Sequence, residues 1–230
     1  MITAEQVALD HLRLWPRMPQ DWRERWHDGL QHFLLNVPFV GANGLQVTDD
    51  MRIVVGAHMS LAAIGLGRDA FASLHGITLY PDEFWVDEVE EDELTGVISE
   101  SRSVLSGQSL GDERIVLSWQ DVLHCGVTEP SDDYAYNVVI HEFTHHLQAS
   151  RPHGDPEALA LLMAEHAKLL TALEQGEEPT VLDPYGADSP EEFLAIAAEA
   201  FFEIPDALQR EHPQVYDVLA RSFRVDPLTW

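Results

Sequence analysis

The stretch that most constrains this chain runs from Tyr136 to Leu147 and contains His141-Glu142-Phe143-Thr144-His145. Val138, Val139, Ile140, Phe143 and Leu147 give it the apolar face of a helix that packs into a core. Glu142 and the two histidines then enter that core with it, at a cost unless they are partnered. Histidines at i and i+4 stack one turn apart on one helix face, where both imidazoles reach a single zinc ion. Glu142, rotated by about 100° from His141, sits beside that ion and is placed to work on water there. His146 is five positions from His141, about 140° around the helix, so it faces elsewhere and His145 is the second ligand. The competing reading is three polar residues satisfied by ordinary hydrogen bonds inside a core helix.

A chain of 230 residues that is 45% apolar suits one domain with a real core. We expect residues 1–230 to form that single domain, with 1–75 as a helical layer and 76–230 as a β region and zinc-binding helical core. Lys and Arg total 13 against 40 Asp and Glu, a formal net charge of −27. That balance argues against nucleic acid or an anionic membrane as a direct partner and fits a solvated acidic surface. Cys125 is the only cysteine, so no internal disulfide forms and an oxidising compartment is not implied. The first residues lack a basic segment followed by an apolar run, and no apolar run approaches bilayer-spanning length. The expected location is the cytoplasm.

Taken in order, the pattern predicts an α+β, predominantly helical fold. Thr3 caps a helix through Leu14, interrupted by Pro16 and Pro19. A second helix spans about Gln20 to Asn36, with Trp22, Trp26, Leu30, Phe33 and Leu34 at helical spacing. Gly41, Asn43 and Gly44 mark a loop. A third helix, about Met51 to Ile64, follows the cap Thr48 and contains His58, read as a satisfied core residue. Ile77–Tyr80, Phe84–Val86, Val97–Leu105 and Ile115–Ser118 read as strands. The acidic run Asp87–Glu93 reads as a solvated loop, and Ser106–Ser109 as a turn. One helical turn is expected at Trp119–His124, then a loop over Gly126–Asp133. The motif helix is placed at about Asp133–Ala149 and broken by Pro152-His153-Gly154. Pro156–Gln175 and Ser189–Glu203 complete the long helices, with Pro205 and Pro213 punctuating a helical tail.

A catalytic zinc takes at least three protein ligands and keeps an open position. The shortcut of a glycine three residues and a histidine six residues after His145 is absent, because Gln148 and Arg151 stand there. The third ligand is therefore a carboxylate from another element. Glu192 and Glu199 are seven apart on the helix after Ser189 and share a face. Glu199 lies among Ala and Phe, where a lone carboxylate is expensive. Glu192 also completes a capping box with Ser189 and Pro190. Local evidence divides the ligand role evenly between the two.

The chain resembles the Mlc titration factor A family of zinc metallopeptidases over roughly residues 20 to 228. The matching stretches are Leu79-Tyr80-Pro81, Ser106–Ser109, Ile115–Trp119, Asn137–His145, Tyr185–Phe202 and Asp226-Pro227. The resemblance implies a zincin-type core that pairs the motif helix with a glutamate-bearing helix. It implies Glu192 as third zinc ligand beside His141 and His145. Glu142 is implied as the catalytic residue, and Tyr185 matches a tyrosine characteristic of the family. The spacing from Tyr185-Gly186 to Glu192 also looks like the catalytic domain of anthrax lethal factor. Two departures, a shorter segment between His145 and Tyr185 and Gln148 in place of an aspartate, bear on substrate and partner recognition rather than on the metal site.

The reaction expected is hydrolysis of a peptide or protein substrate, with Glu142 as general base and Tyr185 donating to the oxyanion. Turn packing beside Gly186 is the competing role for Tyr185. Glu199 is expected behind a ligating histidine, and Asn137, one turn before His141, to support that histidine or the substrate. The alternative function is a binding module. The resembled family is associated with sequestering a transcriptional repressor, and in that reading zinc mainly holds two helices together.

Overall fold

The computed structural model describes residues 3–82, 84–91, 98–105, 107–110, 113–126, 134–150, 155–177 and 181–230. The fold is α+β and predominantly helical. Helix α1 (Ala4–His11) is capped by Thr3, whose hydroxyl accepts from the Gln6 N–H. It ends three residues earlier than the sequence predicts. Leu12 turns extended, and Trp15-Pro16-Arg17 forms a separate 3-10 turn, because a proline lacks the N–H a continuing helix needs. Helix α2 (Gln20–Asn36) matches the expectation. Its Trp26, Leu30 and Phe33 are buried, while Trp22 and Leu34 pack against the core from a half-buried position.

Strand β1 (Phe39–Gly41) lies where a loop was expected to begin. Helix α3 (Asp49–Ala62) starts after Thr48, whose hydroxyl accepts from Met51 N–H. Strand β2 (Gly76–Tyr80) pairs parallel with β1, Val40 opposite Thr78. Strands β3 (Phe84–Glu91) and β4 (Ile98–Leu105) form an antiparallel pair in which Glu91 faces Ile98. Residues 87–91 of the acidic run are thus strand rather than solvated loop, because the ladder with β4 carries their backbone. Residues 92–97 lie outside the described residues.

Strand β5 (Gly107–Leu110) replaces the predicted turn, pairing antiparallel with β6 (Arg114–Ser118). The residues there are turn-like in composition, but the register with β6 satisfies their backbone groups. The order in this sheet is β1-β2-β6-β5, parallel except for β5. Short helix α4 (Trp119–Val122) follows at once, capped by Ser118.

Helix α5 (Val138–Ser150) carries the motif and starts five residues later than predicted. Asn137 sets that start, since its side-chain oxygen accepts from Ile140 N–H at 3.1 Å. The expected break at Pro152-His153-Gly154 lies outside the described residues, as do Ser106 and residues 127–133 of the expected loop. Helix α6 (Pro156–Glu174) precedes a 3-10 turn, Pro184–Ala187. Helix α7 (Pro190–Glu203) is buried from Ala195 to its end. Helices α8 (Pro205–Glu211) and α9 (Pro213–Phe223) each open on a proline. Phe143 of α5 and Phe193, Phe201 and Phe202 of α7 are at most 1% exposed, which locks the two helices into one core. No helix among the described residues is long and apolar enough to cross a membrane.

Candidate metal centre

Helices α5 and α7 run in opposite directions and face each other with polar stripes. On α5 and its cap the stripe is Asn137, His141 and His145, each one turn after the last. On α7 it is Glu192, Glu199 and Glu203. Eleven residues rotate by about 1100°, some 20° past three full turns, so all three carboxylates share one side. The stripes meet in rungs: His145 and His141 with Glu192, His141 with Glu199, and Asn137 with Glu203.

At the outer end, one ligand atom from each of His141, His145 and Glu192 lies within 4.8 Å of the other two. His141 Nε2 is 3.0 Å from Glu192 Oε2, and His145 Nε2 is 3.4 Å from Glu192 Oε1. The two imidazole Nε2 atoms are 3.2 Å apart. The capping-box alternative for Glu192 is half realised. Its backbone N–H donates to Ser189 Oγ at 3.1 Å, but its carboxylate turns to the histidines. Glu199, which local evidence weighed equally, is one turn and more further back and 3% exposed.

The orientation of His141 follows from Glu199. His141 Nδ1 lies 2.8 Å from Glu199 Oε1, and a carboxylate accepts only, so Nδ1 carries the hydrogen. That leaves Nε2 directed at His145 and Glu192. Burial opposes the charged imidazole, yet hydrogen bonds to Glu192 and Glu199 outweigh it and push His141 up to about 10. Burial likewise opposes ionisation of Glu192, but its bonds to His141 and His145 hold it at about 2. Glu142 is 6% exposed, and burial raises it to about 7 against the pull of His141 and His145.

The donor set fits a divalent cation. Two imidazoles and three carboxylates face one another, so positive charge is drawn to the centre. The buried oxygen Glu142 Oε2 has no hydrogen-bond partner among the described residues. Two nitrogens and an oxygen from facing helices are the ligand types of a catalytic zinc with an open position.

Tyr185 sits in the 3-10 turn before α7, half exposed, its ring centre 6.2 Å from that of His141. Asp183 Oδ1 fixes this turn by accepting from Tyr185 N–H. His166 Nε2 is 3.0 Å from the Ala187 carbonyl and ties the turn to α6. His146 points away from the centre, as its position on the helix requires, with Nε2 3.3 Å from Ser73 Oγ. Asn137, expected beside His141, lies one layer deeper. Its backbone N–H donates to Glu199 Oε2, and its carbonyl accepts from His141 N–H.

Two members of this cluster escaped the sequence reading. Glu203 accepts from Asn137 Nδ2 at 2.6 Å, and His58 Nδ1 lies 3.0 Å from the same nitrogen. The four-residue step from Glu199 to Glu203 was the available signal for the first. His58 is the buried core histidine the sequence suggests, but only half satisfied: its Nδ1 meets Asn137, while its Nε2 has no hydrogen-bond partner among the described residues.

A model of the family described as glucose-regulated metallo-peptidase M90 matches residues 2–224. An uncharacterized protein of Synechocystis is 31% identical over 97% of this chain and 84% of its own length. Mlc titration factor A of Edwardsiella ictaluri is 33% identical over 80% of this chain and 73% of its own. Mlc titration factor A of Pectobacterium atrosepticum is 29% identical, with 85% and 76% covered.

Proposed function

The chain belongs to the glucose-regulated metallo-peptidase M90 family and is similar to Mlc titration factor A proteins, and on that premise we propose that it is a zinc-dependent peptidase. The observation that carries the reading is the convergence of His141, His145 and Glu192 within 4.8 Å, with Glu142 buried beside them. These three residues would hold the zinc. When bound, zinc supplies Lewis acidity, polarising a carbonyl and lowering the pKa of water. Glu142 takes the proton of the attacking water and returns it to the leaving nitrogen. Tyr185 donates a hydrogen bond to the carbonyl oxygen as negative charge builds on it. Glu199 keeps His141 in the tautomer that offers Nε2. Protein purified without chelator should carry about one zinc per chain and cleave a panel of short peptides. Chelation should stop the cleavage and zinc should restore it. A protein that takes up no zinc overturns the reading.

The second reading is a protein-binding module that sequesters a transcriptional repressor, with zinc joining α5 to α7. What favours it is the name of the relatives, which speaks of titrating Mlc. A zinc-loaded chain that binds a repressor and leaves every peptide intact would support this reading over the first.

A further inference from the structure

Asn137 is held on every side. Its Oδ1 accepts from Ile140 N–H, so its Nδ2 faces Glu203 and His58. The reverse amide orientation would set Oδ1 against a carboxylate and Nδ2 against an N–H, which the network forbids. One Nδ2 hydrogen goes to Glu203 Oε1 and the other to His58 Nδ1. From this pinned residue the backbone N–H donates to Glu199 Oε2, and Glu199 Oε1 accepts from His141 Nδ1. Glu203 is 4% exposed, Asn137 and His58 are fully buried, and Glu199 is 3% exposed. The line therefore runs from Glu203 to the imidazole without a solvent-exposed step.

A buried carboxylate is costly, and Glu203 Oε2 has no hydrogen-bond partner among the described residues. An apolar residue would cost less at that position, directly after Ala200, Phe201 and Phe202. Stability alone does not account for Glu203. Its geometry assigns it a use: it is the acceptor that fixes Asn137, which fixes Glu199, which orients His141. We propose that Glu203 and Asn137 are positioning residues for the metal-site histidine, acting through Glu199. The inference rests on the zinc reading above and adds to it a support reaching from the first turn of α5 to the last turn of α7.

The test is zinc affinity by chelator competition, together with the visible spectrum of the cobalt-substituted protein and melts of the metal-free form. Glu203→Leu removes the acceptor and should weaken zinc binding by about 10–100-fold while shifting the cobalt bands. Glu203→Gln retains an oxygen acceptor for Asn137 Nδ2 and should stay close to the parent. Asn137→Ser keeps an oxygen to cap α5 but loses the donors to Glu203, and should resemble Glu203→Leu. In a Glu199→Ala background, Glu203→Leu should add little further loss, since both act on one line. Should Glu203→Leu fail to fold, Asn137→Ser with Glu203→Gln carries the test. A parent that binds zinc while these variants match it in affinity and cobalt spectrum, with only the melts moved, overturns the positioning role alone. A parent that binds no zinc overturns the zinc reading and this inference with it.

Discussion

Glu199 and His141 meet at 2.8 Å between Oε1 and Nδ1, on a carboxylate that also accepts the Asn137 N–H. The relationship settles which nitrogen of His141 faces Glu192. It also divides two glutamates that share one face of α7, Glu192 standing at the cluster of ligand atoms and Glu199 behind it.

The two carboxylates should therefore fail differently. Glu192→Ala removes a proposed ligand, and chelator titration should show zinc binding sharply weakened. Glu199→Ala should cost about 10–100-fold in affinity. The cap on α7 survives Glu192→Ala, because Ser189 Oγ accepts from the backbone N–H of that residue. In melts of the metal-free protein Ser189→Ala should lose roughly 1 kcal/mol through the cap, whereas any loss in Glu192→Ala comes from its carboxylate bonds to His141 and His145. Zinc lost from Glu199→Ala but kept by Glu192→Ala would exchange the two roles.

Tyr185→Phe keeps the ring that stands 6.2 Å from His141 and removes only the hydroxyl. Loss of an oxyanion donor costs about 10²–10³ in kcat. Steady-state kinetics should show that loss in kcat with zinc affinity unchanged. Unaltered kcat would leave the tyrosine as a packing residue of its turn.

Burial, with a smaller push from His11, holds His58 down at about 3 against an ordinary 6.5. The folded protein then resists a proton that the unfolded chain takes up below 6.5. Stability from this group is full above pH 6.5 and falls with pH by about 1.4 kcal/mol per unit toward pH 3. Glu203, raised to about 7 by burial, works in the opposite sense between 4.5 and 7. The contribution of His58 is best read as the difference between the parent and His58→Gln in denaturant titrations of the metal-free protein. The parent should lose more stability than the variant between pH 6 and pH 4, which lies between the folded value of about 3 and the ordinary 6.5. Parallel pH curves would contradict the neutral assignment of His58.

The helices that build the centre were legible because their apolar residues recur at helical spacing and their polar residues fall in fixed steps. His141 and His145 needed only that spacing. The choice between Glu192 and Glu199 did not follow from it, since both lie on one face, and depth against α5 separates them. Asn137 was visible as a neighbour of His141, but its bonds reach Glu203 and His58, 66 and 79 residues away. No local pattern carries partners so distant. Strand β1 was too short to register, and β5 is turn-like in composition, its strand character coming from the ladder with β6.

The central claim is that Glu142 is the base beside a zinc held by His141, His145 and Glu192. Glu142→Gln tests it most directly, because the amide keeps the shape of the side chain and cannot take the proton of water. The measurement is peptide hydrolysis by parent and variant at equal zinc content. The account predicts unchanged zinc and a rate lowered by about 10²-fold or more. A zinc-loaded variant that hydrolyses peptides as fast as the parent would contradict it.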